Sequence, residues 1–344
     1  MNRSRLLTAV LAVALTITAC GGDEPEPAAS PSPSPSPSPS PSPSPSPTGT
    51  AAPLTGELVD DEVATRPALV AKIENTAKAR PQAGLEAADI VFEQLVEGGV
   101  TRFFAVFQSE VPAEIGPIRS ARLVDATLLP AFDGIFLYSG GRDDVEAAIG
   151  GSAVRVTEGD AGVYRESSRS APSNLFALGP EVYETAAARA DDLAPPQSWF
   201  TFAEGTPSGG ADVATIDVQM SAAVTTSWTF DEAAGGYLRA QGGTDQPTAS
   251  GDPVVAANVV VLGVGTFQGG CCDTAGSPYV VTQTVDTGRA IVLRDGSWFE
   301  AEWSRETESA PIELTVDGVP LPLAPGATWV QLAPNGSLPA APTG

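Results

Sequence analysis

Gly98-Gly99-Val100-Thr101-Arg102-Phe103-Phe104-Ala105-Val106-Phe107 runs on, after a short polar break, to Ile115-Gly116-Pro117-Ile118-Arg119-Ser120-Ala121-Arg122. The first run is almost continuously apolar and aromatic, the pattern of a strand buried on both faces. Gly116-Pro117 marks a turn, and two arginines follow it three residues apart. The chain carries 18 Lys and Arg against 42 Asp and Glu, a net charge of −24. A knot of arginine at the end of a buried strand in so acidic a protein points to an anion site.

Similar punctuation recurs on both sides of this stretch. Residues 67–73, 88–93, 101–108 and 134–139 read as strands. Residues 124–129, 143–149 and 182–191 read as helices, the second opened by Asp143 as a cap. Strands alternating with helices predict an α/β layered N-terminal domain over 61–202. Beyond Pro195-Pro196 the texture changes. Runs at 213–218, 224–230, 236–239, 254–264, 279–285, 290–294, 298–303, 312–316 and 328–332 read as strands. Asp295-Gly296 and Asp317-Gly318 are hairpin signals among them. A β-rich C-terminal domain is therefore expected over 212–334, with 203–211 as a hinge and 335–344 as a tail. The fold class is α+β.

The N-terminus reads as an address. Arg3 and Arg5 precede an apolar run, Leu6 to Ile17, that is short for a membrane span. It ends in Ile17-Thr18-Ala19-Cys20, the pattern of a bacterial lipoprotein signal over 1–19 with lipid attached at Cys20. The expected location is the extracytoplasmic face of the bacterial cell membrane, with that lipid as the contact to the membrane. A Ser/Pro-rich linker is expected over 20–60. Its Ser-Pro alternation from Ser30 to Pro47 cannot form helix or sheet. At a polyproline rise of about 3.1 Å per residue it would reach roughly 50–60 Å.

The chain contains no histidine and three cysteines, so neither a Ser-His-Asp nor a Cys-His arrangement can be assembled. With Cys20 lipidated, Cys271 and Cys272 remain, as a vicinal disulfide or as thiols, and they cannot make an ordinary zinc site. Acidity argues against a nucleic-acid partner, because phosphate contacts need a basic face.

Chemistry could sit in four places. Arg119, Ser120 and Arg122 could hold an anion between guanidinium groups and backbone N–H groups, or pair with neighbouring carboxylates. Asp89 and Glu93, with Glu97 close by, could offer oxygen ligands to a divalent cation, or lie in solvated loops. Gly140-Gly141-Arg142-Asp143-Asp144 is a strand-to-helix turn open to close approach, or a plain tight turn. Tyr164 to Leu175, with Arg165 and Arg169, is a polar surface loop of the kind that often carries function.

At these residues the chain resembles the DUF3048 family of bacterial lipoproteins. The resemblance rests on Arg66-Pro67-Ala68-Leu69-Val70, Ile73-Glu74-Asn75, Ala79-Arg80-Pro81-Gln82-Ala83-Gly84-Leu85, Ala88-Asp89-Ile90-Val91-Phe92-Glu93, Glu97-Gly98-Gly99-Val100-Thr101-Arg102, Ile115 to Arg122 and Tyr164-Arg165-Glu166-Ser167-Ser168-Arg169. Asn258 to Leu262, Trp303-Ser304-Arg305 and Pro325 to Val330 extend it through the C-terminal part. It implies a two-part architecture and an envelope location. Family members often carry histidine where this chain has Ser139, Ser173 and Thr244, so metal or proton chemistry resting on those histidines would be missing here. A fainter, fold-level likeness in the order of features is to LytR-CpsA-Psr wall-polymer transferases.

The expected function is binding, without catalysis and without a cofactor. The ligand is an anionic envelope polymer, a lipid phosphate or a protein partner, and Arg102, Arg119, Ser120, Arg122, Arg165 and Arg169 supply the site. The alternative is an enzyme acting on a phosphate-linked wall precursor, with Asp89 or Glu93 holding a divalent cation and arginines stabilising phosphate charge.

Overall fold

The computed structural model describes residues 49–270 and 276–340. The signal segment, Cys20, most of the Ser/Pro linker and the Cys271–Cys272 pair lie outside the described residues. The last part of the segment expected as linker, 49–60, is structured. β1 (Thr50–Ala51) pairs with β2 (Leu58–Val59), and Leu54 between them is fully buried. A short helix, α1 (Asp61–Ala64), leads into the main sheet.

β3 (Leu69–Glu74), β4 (Ile90–Leu95) and β5 (Thr101–Phe107) are the apolar runs read from the sequence. β5 lies between the other two and is antiparallel to both. Then come α2 (Leu123–Leu128), β6 (Ile135–Leu137), α3 (Asp143–Ile149) and β7 (Val154–Val156). β6 and β7 extend the sheet in parallel from β3. β8 (Val163–Arg165) and β9 (Leu175–Ala177) form a separate hairpin before α4 (Gly179–Ala187).

Among the described residues after α4 the regular elements are all strands. β10 (Ala211–Asp212) is followed by β11 (Thr215–Gln219), β12 (Thr225–Asp231), β13 (Gly236–Gln241), β14 (Thr244–Asp245) and β15 (Val255–Ala256). β11 to β15 make a five-stranded sheet. β16 (Asn258–Val264) precedes the hairpin β17 (Thr266–Gln268) and β18 (Val280–Thr282). β19 (Thr287–Arg294), β20 (Ser297–Ser304), β21 (Glu313–Val316), β22 (Val319–Pro320) and β23 (Thr328–Pro334) complete the order.

The two segments separated in the sequence share one sheet. β23 runs parallel to β16 on one side and to β4 on the other, with Gln331 opposite Glu93. The strand order is therefore β22-β21-β20-β19-β16-β23-β4-β5-β3-β6-β7, with β10 on β20. The expected hinge is strapped down on the C-terminal strands. Arg294 donates to the carbonyls of Ala203 and Gly205 at 3.0 and 2.8 Å, and Ala203 N–H donates to Leu323 O at 2.9 Å.

The α/β layering expected of the first segment gives way to a β-rich architecture. Among the described residues strands take 39% and helices 13%, and the longest helix, α4, has nine residues. The β4–β5 connection is too short for a crossover helix, so the chain reverses and pairs antiparallel.

Alternation along the strands gives the sheet two buried faces. Ile73, Val91, Phe103 and Trp329 point to one, against Ile216, Val218 and Trp228 of the five-stranded sheet. Val70, Phe92, Phe104 and Val330 point to the other, against Val124 and Leu128 of α2, Val145 and Ile149 of α3, and Trp199. This parity decides which polar groups can meet.

Candidate functional site

Even-numbered positions of β3 and β5 face the helices, and two of them are cations. Lys72 lies in the otherwise apolar run Leu69 to Ile73. Its ammonium donates to Asp125 Oδ1 of α2 at 2.7 Å, both side chains being fully buried, and also to Gln94 of β4. Burial pushes the Lys72 pKa down to about 8, against the pull of Asp125. Arg102 is also buried and donates from Nη1 to the Ser120 carbonyl at 2.6 Å. Burial, then the charges of Arg122 and Arg119, push its pKa down to about 9.

The 117–122 segment is laid over this end of the sheet by backbone bonds. Arg119 N–H donates to Lys72 O at 2.8 Å and Ser139 N–H to Arg119 O at 3.0 Å. The arginines thus sit beside the C-terminal ends of β3 and β6, two parallel strands where open sheets often place ligands.

The two arginines differ in what they are free to do. Arg122 is committed. Its Nε donates to both Glu97 oxygens at 2.7 Å and its Nη2 lies 2.7 Å from Oε2. Its backbone N–H is capped by Asp125 at 2.6 Å. Arg119 is held loosely. Its Nε lies 3.5 Å from Glu74 Oε2, and neither atom has a hydrogen bond. Among the described residues the Arg119 side chain makes no hydrogen bond and stays 21% exposed. Ser120 Oγ and Ser139 Oγ lie 3.4 Å apart next to it. Four cations, Lys72, Arg102, Arg119 and Arg122, meet three carboxylates, Glu74, Glu97 and Asp125, leaving a positive excess at this corner of an acidic protein.

The remaining expected site residues lie elsewhere. Arg165 pairs with Glu158 and donates to Asn174 Oδ1 at 2.8 Å. Arg169 donates to the carbonyls of Ala79 and Pro81 at 2.8 and 2.6 Å and lies over the Phe176 ring. Both staple the 163–177 loop, whose Leu175 and Ala177 pack on the face away from Lys72. The Gly140–Asp144 turn is closed by Arg142, which pairs with Asp144 and stacks on Tyr279 at 3.8 Å.

Asp89 and Glu93 do not form one oxygen cluster. Asp89 accepts from Gln108 N–H at 2.5 Å, Ser109 N–H at 2.9 Å and the Ser109 hydroxyl. Burial nevertheless pushes its pKa up to about 6. Glu93 sits four positions further along the strand, about 13 Å away at a strand rise of roughly 3.3 Å per residue. It is fully buried against Arg239 of β13 at 2.7 Å, with Thr101 and Asn75 donating at 2.7 and 3.1 Å. Being odd-numbered, it points to the face opposite Lys72, Arg102 and Arg119. The sheet stands between Glu93 and the Lys72, Arg102 and Arg119 cluster, so Glu93 does not share one site with those cations. Among the described residues no group of three or more Cys, Asp or Glu is placed to hold a metal.

Lys72, Glu74 and Asp125 were not singled out in the sequence. The available signal was Lys72 itself, an ionisable residue inside a run otherwise fit for a core.

Family models cover most of this scaffold. One described as "Protein of unknown function (DUF3048) N-terminal domain" matches residues 54–192, and its C-terminal counterpart matches 216–330. The chain belongs to the DUF3048 family. The "Putative lipoprotein YerB" of Bacillus subtilis is 28% identical over 301 residues, covering 83% of this chain and 86% of that protein. The crystal structure of the Bacillus subtilis YerB protein superposes with a TM-score of 0.72 at 27% identity, covering 82% of this chain and 96% of that one. The two DUF3048 matches divide near the strapped 203–211 segment, while the sheet runs through both.

Proposed function

We propose that this DUF3048 protein is a lipid-anchored extracytoplasmic protein that binds an anionic group of an envelope component at Arg119, with Ser120 and Ser139 beside it. The anchor rests on Ile17-Thr18-Ala19-Cys20 and on the name of the Bacillus relative, a putative lipoprotein. Among the described residues no helix is long and apolar enough to cross a membrane.

One observation carries the ligand: Arg119 is a half-open guanidinium with a loose ion pair and no hydrogen bond, in a cluster with excess positive charge. A guanidinium can make two parallel bonds to a phosphate or carboxylate, and the two hydroxyls can add donors. Binding is favoured over catalysis because Asp89 and Glu93 are committed to internal partners and Glu93 lies across the sheet. Arg102 and Arg122 act as support: one holds the Ser120 carbonyl, and the other fixes the start of α2.

Thermal-shift and calorimetric titrations of the full chain with inorganic phosphate, a glycerol phosphate polymer and phosphatidylglycerol vesicles test this reading. At least one anion should bind to the parent, fail to bind Arg119→Ala, and bind Arg165→Ala normally. The vesicle and polymer arms separate a lipid headgroup from a wall polymer. Absence of binding in all three arms, or binding indifferent to Arg119→Ala, sinks it.

A further inference from the structure

Among the described residues the hairpin β17–β18 pairs with no other strand, so β17 has a free edge on the side away from β18. β17 pairs with β18 in the register Thr266 with Thr282, Phe267 with Val281, and Gln268 with Val280. Gly269 N–H donates to Tyr279 O at 2.8 Å and Gln283 N–H to Gly265 O at 2.8 Å. Those bonds set the phase of the ladder. In an antiparallel pair the bonded positions alternate with positions whose N–H and C=O turn away. Positions 265, 267 and 269 face β18, so Thr266 and Gln268 turn both backbone groups to the free side. Among the described residues no backbone group meets them there.

The space next to this strand suits one kind of occupant. A cavity of about 460 Å³ lies between the hairpin and the end of β4, walled by Leu95, Val96, Gly98, Gly99, Pro278 and Val280 and bordered by Thr266, Phe267 and Gln268. It falls in the size range of pockets that hold small groups. None of its lining side chains is charged, although the protein carries a net charge of −24. Gly98 has a φ of 71°, and a Cβ built there meets nothing within 4 Å, so the wall stands back. Cross-strand pairing puts Thr266, Gln268 and Val280 on the cavity face of the hairpin. Phe267 is on the other face, 53% exposed.

We infer that β17 is a docking edge for an extended segment of a protein partner, which adds a strand to the hairpin. Such a segment supplies donors and acceptors alternating at the repeat Thr266 and Gln268 require; an anion supplies acceptors only. Main-chain bonds hold the segment, and pockets for alternate side chains select it. Side chains on the inner face of the added strand enter the uncharged cavity, so that face of the segment is apolar and uncharged. Those on the outer face pack beside Phe267. This edge is independent of Arg119 and needs no anion.

The test separates backbone from side chain. Gln268→Pro removes the outward N–H and is tolerated on an edge strand; Gln268→Ala keeps that N–H. A phage library of random 12-residue peptides is selected on the detergent-solubilised full chain. Enriched peptides should bind the parent, Gln268→Ala and Arg119→Ala alike, and bind Gln268→Pro at least ten-fold more weakly. No enrichment, or equal binding to Gln268→Pro, overturns the inference. Should Gln268→Pro lower the melting temperature, amide exchange on the parent decides. Slowed exchange at Thr266 and Gln268 on adding peptide supports the edge, and unchanged exchange overturns it.

Discussion

Glu93 of β4 and Arg239 of β13 meet at 2.7 Å with both side chains fully buried, and this pair pins the five-stranded sheet to the main sheet. Arg239 also lies against the Phe103, Trp228 and Trp329 rings at 5.1, 5.8 and 5.2 Å. Removing one partner leaves an uncompensated buried charge, which costs about 3–5 kcal/mol. Glu93→Ala and Arg239→Ala should each lose about that much in urea denaturation. The double change Glu93→Leu with Arg239→Met should lose less than either, because no lone charge remains. A single variant that costs under about 1 kcal/mol would contradict the buried-pair account.

Asp89 gives stability a pH dependence of known sign. Its folded pKa is about 6 against 3.8 for the ordinary group, raised by burial and only partly offset by bonds from Ser109 and Gln108. Between those values the folded chain binds more protons than the unfolded chain. Stability contributed by this group is therefore present at low pH and lost as pH rises toward 6. Compared with Asp89→Asn, the parent should gain about 2–3 kcal/mol on going from pH 7 to pH 4. Denaturant midpoints of the two proteins across that range should converge or cross; parallel curves would reject the assignment.

The sequence discloses what is local. Phe103 to Phe107 could only be a buried strand. Asp295-Gly296 and Asp317-Gly318 declare hairpins, and both aspartates take the left-handed conformation, each with φ of 50°. Pairing across the chain is another matter. β23 docks beside β4 because both expose apolar faces of matching phase, and no residue near either strand announces the other. Lys72 finds Asp125 53 positions on, and Arg239 finds Glu93 146 positions back. Strand parity would have put Glu93 and Lys72 on opposite faces, but nothing local names their partners. The arginine pair at 119 and 122 was visible as a motif. That Arg122 is consumed by Glu97 while Arg119 stays half open depends on where the 117–122 segment crosses the sheet.

Gly84 shows a backbone requirement. It has φ of 85°, and a Cβ placed there would come within 2.7 Å of the Glu114 carbonyl oxygen. Ala83 N–H bonds to Gly116 O at 2.8 Å next to it, so the carbonyl cannot retreat without breaking the contact that holds the Gly116-Pro117 turn. Gly84→Ala should cost about 2–3 kcal/mol, the sum of left-handed strain and crowding. Gly98→Ala has a similar φ of 71° but open space, so it should cost about 1 kcal/mol. Thermal melts of the two variants measure the difference, and equal losses would mean that crowding at Gly84 is relieved by movement.

Arg122 and Arg119 should separate stability from binding. Arg122 is bonded to both Glu97 oxygens, and the two side chains are 17% and 5% exposed. Arg122→Ala strands a mostly buried carboxylate and frees the start of α2, so it should cost about 2–3 kcal/mol. The Arg119 side chain has no hydrogen bond to lose among the described residues, and its ion pair with Glu74 is long at 3.5 Å. Arg119→Ala should therefore change stability by less than about 1 kcal/mol while abolishing anion binding. Glu74→Gln goes the other way. It removes the one carboxylate that competes for the Arg119 guanidinium, so phosphate should bind several-fold more tightly than to the parent. Calorimetric titration of phosphate into the three variants, beside their urea midpoints, reads both effects. If Arg122→Ala kept its stability and lost the anion instead, the committed and the open arginine would have been assigned the wrong way round.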